Sequence, residues 1–147
     1  MYAILSQTTD AYPGLTIRVA LGSIMFAHGC RKMLGLFGGC GFNQIMEHLI
    51  KTVKMPFLLA LFVVFTEFYG SLFLLLGIAT RIWAFSIILL MIITAIFGNH
   101  LKSGFFMNWE GLKTGEGFEY HLLVVGCALT LLFTGAGKYS IDLSFYN

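Results

Sequence analysis

Residues 56–100 read PFLLALFVVFTEFYGSLFLLLGIATRIWAFSIILLMIITAIFGNH, and this stretch decides the fold class. Over residues 57–79 only Thr66, Glu67 and Ser71 interrupt the apolar run, and over residues 82–101 no side chain ionises before His100. Each block approaches the roughly 20 residues that carry a helix across about 30 Å of hydrocarbon. A third block precedes them at residues 14–37 and contains Arg18, His28, Arg31 and Lys32. A fourth follows at residues 118–136, with Cys127 near its middle. Such a block is either a membrane helix or the core helix of a soluble protein. Four of them in 147 residues leave too little polar chain to enclose a core, so the membrane reading follows. Lipid offers the backbone no hydrogen-bond partner, which favours helices, and the alternation of a transmembrane barrel is absent. The expected fold is all-α: an integral membrane four-helix bundle, one transmembrane domain over residues 1–147, with both termini on the same side of the bilayer.

Composition agrees. The chain is 58% hydrophobic and 11% charged, with a mean hydropathy of +0.85. Soluble domains carry about a quarter charged residues. A net charge of +2, scattered along the chain, excludes nucleic acid as a partner. Cys30, Cys40 and Cys127 form no CxxC or CxxH spacing, which excludes a disulfide-rich secreted fold and a thioredoxin-like pair. Cys30 and Cys40 share one rim and could pair, although small buried thiols are the commoner use. Residues 1–13 lack the basic segment and cleavage site of a signal peptide, so the first apolar block is expected in the mature protein. Dinucleotide and P-loop glycine motifs and a Ser/His/Asp arrangement are absent.

If the face nearest the N-terminus is side A, the opposite side B receives the two longer loops. In the first, Phe42, Ile45, Met46, Leu49, Ile50 and Val53 recur at helical spacing, opposite Asn43, Gln44, Glu47, His48, Lys51 and Thr52. Residues 42–53 therefore form a short amphipathic helix between spans one and two, read as an interfacial anchor rather than a lid. The second loop, residues 102–117, carries Phe105, Phe106 and Trp109, suited to an aromatic belt. Arg18, Arg81 and Lys138 fall on side A; Arg31, Lys32, Lys51, Lys54, Lys102 and Lys113 fall on side B. Without Arg31 and Lys32, which end a helix near the polar cluster, the imbalance is too small to orient the chain.

Ionisable groups at membrane depth require partners and mark function by default. Glu67 lies near the middle of its span, Lys32 is one helical turn beyond His28, His100 ends the third span, and Glu119 and His121 begin the fourth. His28, Lys32, Glu67, His100 and Glu119 can thus converge on a pocket open to side B. Three uses are compatible with that cluster. Glu67 pairs with Lys32 or His28 for structure alone; the pocket binds a quinone headgroup or other small molecule, with His and Glu relaying protons; or the residues hold a metal or haem. No tight ligand spacing supports a metal, and the depths of His28 and His100 match poorly for haem. On side A, Arg81 and Asp142 are expected to form a structural ion pair, and Arg18 to snorkel.

Five segments in register carry a family resemblance: HGCRKMLGLFGGCG (residues 28–41), Glu67 followed by LLLGIATR (74–81), His100 followed by GFF (104–106), GEGFEY (115–120) and TGAGKYSID (134–142). In this order the chain resembles, over nearly its whole length, the DoxX family of small four-helix membrane proteins. The resemblance implies a bacterial inner-membrane location, multi-pass, and an association with quinone-linked redox. Founding members are named as subunits of a terminal quinol oxidase and of thiosulfate:quinone oxidoreductases, and others resemble scaffolds for soluble redox enzymes. The chain is similar to the membrane part alone. The expected role is a subunit or accessory factor of quinone-linked electron transfer, with lipid, redox protein partners or a second copy of the chain as neighbours. The alternative is a non-redox permeation pathway or membrane scaffold.

Overall fold

The structure, a computed structural model, describes residues 12–111 and 115–146. Among them the chain forms helices and no strand: α1 (Tyr12–Met33), α2 (Gly41–Glu47, prolonged by a π-helical turn over His48–Thr52), α3 (Phe57–Leu76), α4 (Thr80–Phe97), α5 (Glu119–Thr134) and α6 (Ile141–Tyr146). The first eleven residues and Lys113 lie outside the described residues. Helices α3 and α4 are each long and apolar enough to cross a membrane. Helix α5 is apolar but only 16 residues long, and α1 has 22 residues but carries Arg18, Arg31 and Lys32.

Helix ends follow local chemistry. Helix α1 stops at Met33, before the expected residue 37, because Gly35 and Phe37 take left-handed φ values of 72° and 52°. Helix α3 stops at Leu76 because Gly77 enters the left-handed region (φ 67°), where the lack of a Cβ removes the steric penalty. There the Gly77 N–H donates to Leu74 O (3.0 Å) and the Ile78 N–H to Phe73 O (2.9 Å), which satisfies two terminal carbonyls.

One apolar cluster joins α1, α3, α4 and α5, with Leu21, Met25, Val63, Leu74, Ile87, Leu90, Val124 and Leu131 among its buried members. Helices α1 and α3 approach closely at Gly29, where a Cβ would stand 2.5 Å from the Glu67 carbonyl oxygen and 2.6 Å from Phe68 Cα. Helix α2 turns its apolar stripe onto this cluster: Met46 is buried, and Phe42, Ile45, Leu49, Ile50 and Val53 pack against it. The stripe is the one expected from the spacing, but it covers the helix core. Helix α2 roofs the helix core.

At the opposite end, Arg18 does not snorkel; it is only 1% exposed. Its Nη1 donates to Leu75 O (3.1 Å), and its Nη2 donates to Lys138 O (3.1 Å) and Tyr139 O (3.0 Å). These carbonyls belong to the end of α3 and the segment before α6, so the guanidinium supplies donors that those backbone groups lack. Asp142 faces Arg18 electrostatically, but its two oxygens accept from backbone amides, Oδ1 from the Ala79 N–H and Oδ2 from the Thr80 N–H, both at 2.8 Å. It thereby caps α4, which starts at Thr80 rather than residue 82. Arg81 meanwhile donates to Phe133 O at 3.1 Å. Asp142 thus acts through a helix N-terminus, a role that charge counting along the sequence does not reveal.

The energetic order follows. Removing Arg18 strands three carbonyls in an apolar setting, whereas removing Asp142 exposes two amides of one cap. Arg18→Met is expected to lower stability by about 3 kcal/mol or more, and Asp142→Ala by about 1–2 kcal/mol. Thermal unfolding in detergent measures both, and an Arg18→Met protein as stable as the parent would refute this account.

Candidate functional site

The polar residues near the Lys32 end of α1 are positioned by a break in α3. Residues Thr66–Gly70 form a π-helical turn, and such turns leave carbonyls without their usual partners. Ser71, fully buried, answers this by donating its hydroxyl to Glu67 O (2.5 Å) and Phe68 O (3.0 Å). The turn presents the Glu67 side chain to α1, where Lys32 Nζ meets Glu67 Oε2 at 2.5 Å. Glu67 is buried (side chain 6% exposed) and Lys32 is partly buried (27%). The contact is an ion pair; Oε2 receives no hydrogen bond of regular geometry.

This pair forms one wall of a cavity of about 350 Å³. His28, Lys32, Glu67 and His100 all line it, together with His48, Glu116, Tyr120 and His121. Ile45, Leu49, Leu90 and Met91 supply apolar walls. His28 is exposed at the mouth and its ring lies 6.3 Å from that of Tyr120, whose hydroxyl points to Met25 Sδ at 3.8 Å. The rings of His100 and His121 are 4.7 Å apart. His100 Nδ1 lies 3.0 Å from Glu116 O, while the buried His121 Nδ1 has no hydrogen-bond partner among the described residues.

Glu119 does not join the cavity. Its Oε1 accepts from Trp109 Nε1 at 3.1 Å, and it lines an outer groove with Leu122, Leu123, Gly126 and Cys127. Helical phase explains this: Val124, Ala128 and Leu131 are the buried positions of α5, and they continue back to Tyr120 rather than to Glu119. That phase was the available signal for Tyr120. His48, assigned by pattern to the polar face of the amphipathic stretch, reaches the cavity because α2 roofs it. Glu116 belongs to a loop, where spacing carries no signal.

The family model described as DoxX matches residues 14–100. The chain belongs to the DoxX family. This DoxX chain is also 30% identical over 128 residues to the Bacillus subtilis (strain 168) protein named "Putative oxidoreductase CatD", a match covering 87% of this chain and 83% of that protein. No solved structure matches it. The matched residues 14–100 include His28, Lys32, Glu67 and His100, whereas Tyr120 and His121 on α5 lie beyond them.

The polar groups lining the DoxX cavity are one ammonium, two carboxylates, imidazoles and a phenol. They can hydrogen-bond a carbonyl or hydroxyl group and exchange protons with it. Among the described residues no three His, Cys, Asp or Glu side chains are placed to hold a metal ion. Cys30, Cys40 and Cys127 are all unbridged thiols, Cys30 buried and Cys40 exposed.

The ion pair makes a double-substitution test possible. Lys32→Met or Glu67→Gln alone leaves one partner uncompensated in a largely apolar site, and each is expected to destabilise by roughly 3 kcal/mol. The combined variant should lose less than the sum, because it strands no charge. Additive losses in thermal unfolding would show that the pair is not coupled.

Proposed function

We propose that this chain is a multi-pass protein of the bacterial inner membrane, with α1, α3, α4 and α5 as a four-helix bundle, and that its cavity receives the headgroup of a quinone. In that reading it serves as a subunit or accessory factor of membrane electron transfer, with a redox protein or a second copy of the chain as neighbour. The observation that carries the reading is the Lys32–Glu67 pair, its carboxylate buried, beside a histidine nitrogen that lacks a partner among the described residues, inside an apolar-walled cavity of headgroup size. Small-ligand sites combine these features: mostly apolar walls and a few convergent polar groups, in volumes upward of about 300 Å³. Membership of DoxX and the name of the Bacillus subtilis relative support a redox connection.

A bound quinone supplies the capacity to take up two electrons and two protons. The chain's own groups supply the rest. Lys32 Nζ and, in the neutral Nδ1–H tautomer, His121 Nδ1 are the donors available to a carbonyl oxygen. The Glu67 carboxylate is a proton acceptor at mid-span, held next to the ammonium that offsets its charge. His121 stacks near His100, and His100 reaches the Glu116 carbonyl, so imidazole nitrogens continue from the cavity toward the loop. Helix α2 excludes water from above.

Protein extracted gently from bacterial membranes should carry quinone into an organic extract and should resist alkaline carbonate washing of the membranes. His28→Ala and Lys32→Ala should retain roughly tenfold less quinone, the loss expected for one charge-assisted hydrogen bond. Their unfolding should remain cooperative. A parent protein that is quinone-free and colourless would reject this role and leave a permeation pathway or a scaffold.

A further inference from the structure

A second hollow, also about 350 Å³, sits at the corner between α1 and α2 and is lined by His28, Arg31, Lys32, Gly38, Gly39 and Cys40, with Ile45 behind. His28, Lys32 and Ile45 line both hollows, so the two are neighbours. The charges here are unbalanced. Glu67 is taken by Lys32, and Glu47, the acidic residue of α2, is held by Lys51 at 2.7 Å, which lowers the Glu47 pKa and raises that of Lys51. Arg31 meets no carboxylate and donates no hydrogen bond among the described residues. The corner is also built closely. A Cβ at Gly39 would collide with the Arg31 backbone carbonyl, so only glycine lets the 38–40 loop lie against the last turn of α1. An exposed guanidinium whose donors meet no acceptor among the described residues, flanked by an ammonium and an imidazole, matches a tetrahedral oxyanion better than any neutral group.

We propose that this corner binds a phosphate group, with Arg31 as the principal ligand and His28 and Lys32 as flanking donors. Two sources share that chemistry: the phosphodiester of an anionic membrane lipid and free inorganic phosphate. The lipid source rests on the membrane embedding proposed above. In that embedding, Arg31 lies at the end of α1 on the side of Trp109 and of the loop aromatics Phe105 and Phe106, at the level of lipid headgroups. Because Lys32 belongs to both hollows, a phosphate here competes with Glu67 for its ammonium. The outer ligand therefore bears on the charge of the inner cavity.

The test uses the full chain in detergent with phosphatidylglycerol, its uncharged counterpart diacylglycerol, or millimolar inorganic phosphate. Retained lipid is read by native mass spectrometry, and phosphate by its displacement of that lipid. The parent should retain phosphatidylglycerol over diacylglycerol, and Arg31→Ala should lose that preference by roughly tenfold, with partial recovery in Arg31→Lys. Lys102→Ala, which removes an exposed cation elsewhere on the same side, should leave it unchanged. Displacement by inorganic phosphate, but not by equal chloride, identifies free phosphate as the ligand; resistance to it identifies the lipid. Equal losses in Arg31→Ala and Lys102→Ala would mean diffuse attraction and overturn the site, as would no preference in the parent. Carbonate extraction reads the embedding independently, and Glu67→Gln should keep the lipid preference, so failure of the quinone reading and failure of this one are distinguishable.

Discussion

A buried guanidinium has to be surrounded by acceptors, and Arg18 draws three carbonyl acceptors from two separate segments. Leu75 O comes from the end of α3, and Lys138 O and Tyr139 O come from the segment that follows α5. The same segment leads into Asp142, which caps α4 through Ala79 and Thr80 and whose own N–H donates to Gly77 O at 2.8 Å. One charge on α1 therefore fixes how α3, α4 and α6 meet. In hydrocarbon such a group without partners would be costlier still, since no water competes for its donors.

The opposite end of the helices is built on another basis. There the polar groups are met only in part among the described residues: an ion pair without regular hydrogen bonds at Glu67, a His121 nitrogen without a partner, and an Arg31 that meets no carboxylate. The closed end meets its charges with backbone partners, although Arg18 Nε and Thr80 Oγ1 find none among the described residues, whereas the open end gathers its unmatched groups around a cavity. Both lie on α1, with Lys32 about 21 Å along the helix from Arg18. Close contact at Gly29 holds α1 against α3 between them, which sets the Lys32 ammonium opposite the π-helical turn.

How much of this could be read from sequence depends on the kind of residue. Apolar blocks located α3 and α4 to within a few residues, because length and hydropathy alone bear on a helix of that kind. Glu67 and Lys32 were legible because an ionisable residue inside an apolar block needs a partner and few are in reach. Glu119 was misplaced relative to the cavity because its assignment rested on depth, whereas helical phase points Tyr120 inward. Asp142 as a cap and Arg18 as a backbone ligand were illegible for a common reason. Both act on main-chain groups of distant elements, and main-chain groups leave no trace in composition. Arg31 and Lys32 resisted interpretation as topogenic charges because one of them is engaged by a carboxylate inside the fold.

The π-helical turn has a consequence for chain length. A turn of this kind holds one residue more than the α-helical ladder around it, displaced to one side while the flanking ladder continues. Between Thr66 and Gly70 a one-residue deletion would therefore restore an ordinary helix and keep Val63 on one side and Leu74 on the other facing the core. The same deletion elsewhere in α3 would rotate everything beyond it by about 100° and turn its buried face outward. Length variation in this helix is thus tolerated at the place where the carboxylate sits. A relative with the shorter helix would have the same packing around an emptied wall, an architecture that outlives its chemistry.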